Sequence, residues 1–230
     1  MSIKKINLTF DVDWAEESIT QPLIQCLLEK KIKSTWFITH DSPCLNILRQ
    51  NPKYFELGIH PNFYPNSTQG ESEYEIVQNL LNLVPEAKVV RTHGVFQSGR
   101  HLTMLAKFKS LLSDSSIFLP EMQNIEPVTH LTPHGSIRRF PVFWADDYEM
   151  LKDETDWKVS NSIFENGLKI FLFHPIHLHL NSPNFFLYEK SKRNGMSEIF
   201  EGRGTCSYFT ELLGLIEKSK VKTNFLNEIL

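Results

Sequence analysis

Lys5-Ile6-Asn7-Leu8-Thr9-Phe10-Asp11-Val12-Asp13 is the stretch that decides the fold. From Lys5 to Phe10, polar and apolar residues alternate with the two-residue period of a β-strand, and the run ends at a pair of aspartates. Downstream, Pro22 to Lys31 sets Leu23, Ile24, Leu27 and Leu28 on one helical face. The order of strand then helix recurs. Ser34 to Thr39 is β-branched and aromatic, Phe55 to Ile59 is largely apolar, and Tyr74 to Val84 has a helical period. Lys88 to Arg91 then reads as a short strand and Leu102 to Leu112 as a helix. Such alternation predicts βαβ units and a mostly parallel sheet, an α/β fold.

From about Ser113 to Thr155 the regularity fails, because Pro120, Pro127, Pro133 and Pro141 separate short apolar pieces; loops and a hairpin are expected there. Leu168 to Phe173 suits a buried strand, and Tyr208 to Lys218 an amphipathic helix carrying Leu212, Leu213, Leu215 and Ile216. No linker, composition shift or repeat divides the chain, so residues 1–230 are expected to form a single domain.

Composition narrows the function. A chain of 230 residues with 41% hydrophobic content can bury a sizeable core. A net charge of −3 without clustered Lys and Arg gives no footprint for nucleic acid. The apolar stretch Ile6 to Phe10 is far too short for a signal-peptide core, and no run approaches the ~18 apolar residues of a membrane span. Cys26, Cys44 and Cys206, odd in number and widely spaced, read as reduced thiols. A cytoplasmic protein is expected.

Asp11, His60, Arg91, His93 and His174 each fall at or just past the C-terminal end of an expected strand. In parallel α/β folds that edge builds the active site. If the first strand continued, Asp11 and Asp13 would point to the same face. Two carboxylates so close repel unless a cation neutralises one and leaves the other to act as a base; alternatively, one caps the following helix. His60, His93 and one carboxylate would fill three positions around a divalent metal and leave others for water or substrate. Arg91 adds a fixed cation able to hold a carboxylate bidentately.

Asp146 and Asp147 follow the apolar segment Phe140 to Ala145, which is expected to carry at least one of them inward. Of the three histidines after the buried strand, His174 is the best-placed acid. His177 and His179, sharing a strand face, either pair on a metal or line a solvent-facing edge. Asn66-Ser67-Thr68 is a polar loop, and Cys206 has no basic partner that would make it a nucleophile.

At these residues the chain resembles the polysaccharide deacetylases, the NodB-like family also called carbohydrate esterase family four. Thr9-Phe10-Asp11-Val12-Asp13 looks like the first family motif, Gly58-Ile59-His60 like half of the second, and Arg91-Thr92-His93-Gly94 like the third. Phe143-Trp144-Ala145-Asp146-Asp147 loosely resembles the fourth, and Leu172-Phe173-His174-Pro175 is close to the fifth. The spacing is most similar to the WbmS-like branch, found among surface-polysaccharide synthesis proteins. The resemblance implies a distorted (β/α) barrel of about seven strands and removal of an N-acyl group, acetyl foremost, from an amino sugar or glycan.

By the same resemblance Asp11 is the catalytic base and Asp13 a ligand to Zn²⁺ or another divalent transition metal. Arg91 would support Asp11, and His174 would be the acid, oriented or charged by Asp146 or Asp147. One departure matters. The family usually carries a second metal-binding histidine four positions after the first, where this chain has Tyr64; His93 is expected to replace it. The altered motif leaves open an inactive relative that only binds glycan. Two histidines and an aspartate also suit a non-haem Fe(II) oxygenase, but those enzymes usually occupy an antiparallel double-sheet fold. Trp14, Phe63, Tyr64 and Trp144 are candidates for stacking on a sugar ring or for the core.

Overall fold

In the computed structural model, which describes residues 5–196 and 199–229, the opening stretch forms strand β1 (Lys5–Asp11) near the middle of a sheet. The other strands are β2 (Ser34–Ile38), β3 (Phe55–Ile59), β4 (Val89–Val90), β5 (Ser113–Phe118), β6 (Val128–Thr132), β7 (Gly135–Val142), β8 (Trp144–Ala145) and β9 (Leu168–Phe173). Their order is β6-β7-β5-β4-β3-β2-β1-β9-β8. Every pairing is parallel except the β6–β7 hairpin.

Only Phe143 separates β7 from β8, and its N–H donates to the Ile170 carbonyl at 2.8 Å. One bent stretch of chain therefore pairs with β5 by its first part and with β9 by its last, which curls the sheet into a distorted barrel. Counting that stretch once and leaving the β6 arm aside gives the seven strands the resemblance implies.

The helices are α1 (Glu17–Glu29), α2 (Pro43–Gln50), α3 (Glu73–Leu83), α4 (Gly99–Leu105), α5 (Asp146–Met150), α6 (Pro175–Leu180), α7 (Phe185–Arg193) and α8 (Thr205–Ser219). The outer core lies between strands and helices: Ile24 and Leu27 of α1, Val77 and Leu80 of α3, and Leu212 and Leu213 of α8 meet Leu8, Phe10 and Trp36 of the sheet. A second cluster holds Phe37, Val89, Phe140, Val142, Ile170 and Leu172, which face the barrel interior. Leu226 and Ile229, in the 3₁₀ turn Leu226–Ile229, close that interior at the strands' N-terminal end, where Glu56 accepts the N–H groups of Leu226 and Asn227.

The structure departs from the sequence reading of the secondary structure in several places. The first helix starts at Glu17, ahead of the expected Pro22. The helix read at Leu102 to Leu112 is the shorter α4, set by Ser98, whose hydroxyl accepts from the His101 N–H. Within the irregular segment the hairpin is present, but Ser113–Phe118 is also a strand. The His177 and His179 stretch is not a strand, because Pro175 occupies the first turn of a helix. His177 is consequently buried and His179 exposed.

Candidate active site

The strand carrying Asp11 stops there, and Asp13 is brought back by a turn. Asp13 and Trp14 both have left-handed backbone, with φ of 45° and 58°. The continued strand expected from the sequence is therefore replaced by a turn, a conformation that Asp tolerates better than most residues. Neither aspartate caps the next helix, whose N-cap is Glu16.

Asp13 Oδ1 lies 3.1 Å from Nε2 of His60 and 3.0 Å from Nδ1 of His93. One ligand atom from each of these three residues sits within 4.8 Å of the others. His60 follows directly on β3, and its Nδ1 is 2.7 Å from the Arg91 carbonyl. That acceptor keeps a proton on Nδ1 and turns the Nε2 lone pair toward Asp13. His60 Nε2 is buried without a hydrogen-bond partner. A lone pair facing a carboxylate oxygen attracts a cation, either a proton or a metal ion. The donor set of two imidazoles and one carboxylate fits a divalent transition metal with positions left open.

Electrostatics reinforce the cluster. Burial works against charge on Asp13, but the close approach of His60, the hydrogen bond with His93 and the field of His174 outweigh burial and hold its carboxyl well below the usual range. His93 is raised chiefly by its bond to Asp13. His93 opens the 3₁₀ turn His93–Val95, where Gly94 has φ +61°. The left-handed backbone favours glycine here, and a Cβ on Gly94 would come within 2.7 Å of the Tyr64 hydroxyl, so the tyrosine would have to shift. Tyr64 stands with its ring centre 6.0 Å from that of His93.

Arg91, completely buried, donates from Nη1 to Asp11 Oδ1 at 2.9 Å and to Thr9 Oγ1 at 2.8 Å. Its Nε and Nη2 go to the carbonyl and hydroxyl of Ser115, and the guanidinium lies over the Phe37 ring at 4.3 Å. The contact with Asp11 is single, not bidentate, because the rest of the fork is used by these neutral acceptors. Burial lowers the guanidinium's proton affinity and Asp11 opposes that change; the group stays charged.

On the other side of Asp13, His174 Nε2 is 3.4 Å from Asp13 Oδ2, while its Nδ1 is 2.7 Å from Oδ1 of the fully buried Asp146. Asp146 Oδ2 also accepts the His174 N–H. Burial disfavours the imidazolium, yet Asp146 first, then Asp13 and Asp147, overcome it and raise His174 well above its ordinary value. Asp147 is only half-buried and its Oδ1 accepts from the Tyr148 N–H; burial raises its carboxyl.

Trp14 and Tyr64 are partly exposed around His93, and Phe96 packs beside Tyr64. Phe63 stacks on His101, away from His93, and Trp144 is core, stacked on Tyr208 at 4.1 Å. Sequence reasoning missed the supports of this site: Thr9 and Ser115 under Arg91, and Gln69, whose amide donates to the carbonyls of Thr39 and His60. A lone Ser or Gln in a loop or polar strand carries no pattern that would single it out. His177, buried against His174 at 5.1 Å between ring centres, forms with Asp146 and His174 a second group of close donor atoms.

The model of the WbmS-like polysaccharide deacetylases matches residues 8–192. A crystal structure from Bordetella bronchiseptica, described as a polysaccharide deacetylase involved in O-antigen biosynthesis, is 31% identical, with TM-score 0.82 over 93% of this chain and 91% of its own. A family 4 carbohydrate esterase from Bacillus anthracis has the same fold at 16% identity, with TM-score 0.51 over 98% of this chain and 82% of that one. A 4-alpha-glucanotransferase from Thermococcus litoralis shares the fold at 12% identity, with TM-score 0.56 over 97% of this chain and 37% of that one. Comparison with curated proteins finds no match. The chain belongs to the WbmS-like polysaccharide deacetylases.

Proposed function

We propose that this protein hydrolyses an N-acyl group, acetyl foremost, from an amino sugar within a glycan of surface-polysaccharide synthesis. The observation that carries the reading is the triple arrangement of one side-chain cluster. Asp13 is shared by His60 and His93, Asp11 is held by Arg91, and His174 is held by Asp146, all at the C-terminal ends of neighbouring strands. The relative from Bordetella bronchiseptica supports the setting. Free thiols at Cys26, Cys44 and Cys206 go with a cytoplasmic location.

Asp13, His60 and His93 would hold Zn²⁺ or a similar divalent ion, which when bound supplies a Lewis acid for the amide carbonyl and brings the pKa of a bound water to about 7. Asp11, its Oδ1 fixed by Arg91, takes a proton from the attacking water. The water oxygen joins the acyl carbon as the C–N bond breaks. His174 enters this step as the imidazolium that Asp146 stabilises, and delivers its Nε2 proton to the amine, which leaves poorly without it. Asp147 adds negative potential at His174. Trp14 and Tyr64 offer faces to the sugar.

The test is amine release from N-acetylated oligosaccharides by purified protein, with and without chelator and across a panel of divalent metals. Metal-dependent release is expected. Saturable sugar binding without amine under any metal would replace this reading with the inactive glycan-binding one.

A further inference from the structure

Helix α7 follows the site closely in both chain and space. Its Tyr188 packs on His177 at 4.4 Å between ring centres, and His177 packs on His174 at 5.1 Å. The inward side of α7 is accounted for by that contact, by the fully buried Ser191 and by the half-buried Leu187. Its outward side is not. Phe186 is 78% exposed, and Lys190 and Arg193, four and seven positions on, share its stripe of the helix. The neighbouring stripe carries the exposed Phe185 and Lys192 with Glu189 between them.

Among the described residues neither Lys190 nor Arg193 has an ion-pair partner, while Lys192 reaches Glu189 at 3.7 Å. Two phenylalanines and a surplus of cations thus share one solvent-facing surface, in a chain whose overall charge is −3. A plainly solvated face does not need two phenylalanines, and protein–protein interfaces are depleted of lysine, which here shares the stripe of Phe186. The combination matches an interface of apolar chains and phosphates: aromatic rings enter the acyl boundary, and Lys and Arg stems reach back to the headgroups. The positive surplus selects anionic lipid.

We propose that α7 is an interfacial docking helix, which seats the protein on an anionic phospholipid surface with its catalytic pole beside the membrane. The substrate class that follows is a lipid-linked glycan. That second step rests on the proposed hydrolase reading; the docking does not.

The experiment is sedimentation of purified protein with phosphatidylcholine vesicles, with or without a quarter of phosphatidylglycerol, at low and high salt. Binding to the anionic vesicles that weakens with salt is expected. Phe186→Ser and the double change Lys190→Glu, Arg193→Glu should each reduce it by roughly tenfold or more, leaving release of amine from a soluble glycan at the wild-type level. Absence of wild-type binding to anionic vesicles, or variants that bind as wild type does, overturns the proposal. So does a Phe186→Ser variant whose only defect is weaker binding of soluble glycan, which would make this face a sugar platform. Vesicle binding without amine release from any glycan would overturn the hydrolase reading and leave the docking intact.

Discussion

Arg91 Nη1 donates to Asp11 Oδ1 at 2.9 Å where both side chains are shut off from water. The main chain of the same arginine serves the His60 side of the site, since its carbonyl accepts from Nδ1 of His60. Side-chain substitutions therefore separate the two functions. Arg91→Leu strands the Asp11 charge and is expected to destabilise the fold by roughly 3–5 kcal/mol, read from urea unfolding. Asp11→Asn keeps an acceptor for Nη1 and should fold, bind metal with unchanged stoichiometry and lose ~10²- to 10⁴-fold in kcat. Loss of metal together with activity in Asp11→Asn would remove the assignment of Asp11 as base.

Asp146 governs the protonation of His174, and this gives a pH signature that a merely structural residue would not. If His174 acts as the protonated acid, activity falls as pH rises through its raised value. Asp146→Asn replaces a charge acceptor at Nδ1 with a neutral amide. The alkaline limb of kcat/KM should move to lower pH, with the deficit greater at pH 8 than at pH 6. A deficit equal at both would mean that Asp146 acts on folding alone.

The βα alternation was legible because hydrophobic period records burial, and the strands expected at Lys5 to Phe10, Ser34 to Thr39, Phe55 to Ile59 and Leu168 to Phe173 are present; the barrel of about seven strands came from the family resemblance. Strand β5 was not legible, because Ser113-Asp114-Ser115-Ser116 is polar yet completely buried. Three of these side chains have long-range partners: Ser115 bonds to Arg91, Ser116 to the Thr92 N–H and Asp114 to Arg139, while the buried Ser113 hydroxyl has none. Polar satisfaction across the sheet has no local period. The site was legible for a related reason. Asp11, His60, Arg91 and His174 are polar residues at the ends of apolar runs, whereas Asp13 reaches the site through a left-handed turn that period alone did not reveal.

His177 makes the fold sensitive to acid. Burial lowers its pKa to about 4, and its Nδ1 is buried without a hydrogen-bond partner. The native state therefore binds fewer protons at this position than the unfolded chain, where an ordinary histidine titrates near 6.5. Its contribution is complete above pH 6.5 and is lost as pH falls toward 4, in total about 3 kcal/mol. His177→Phe should flatten the decline of unfolding midpoint between pH 6.5 and 4. An unchanged slope would show that His177 is not the group responsible.

His93 and Tyr64 test whether the ligand set has been rearranged. Tyr64 occupies the position four after His60, and its ring centre lies 6.0 Å from that of His93 at nearly a right angle. If His93 completes the metal set with Asp13 and His60, His93→Ala should reduce bound divalent metal sharply, by ~10-fold or more in affinity, because two ligands hold an ion far less well than three. Adding Tyr64→His on that background returns an imidazole from the loop that follows β3, with the tyrosine ring no longer in its way. Partial recovery of metal, measured by titration calorimetry and metal analysis, is expected in His93→Ala, Tyr64→His, with Asp13 and His60 unchanged. His60→Ala provides the control, since no substitution at Tyr64 replaces the buried Nε2 fixed by the Arg91 carbonyl. Full metal content in His93→Ala alone would instead mean that Asp13 and His60 suffice and that His93 only hydrogen-bonds to Asp13.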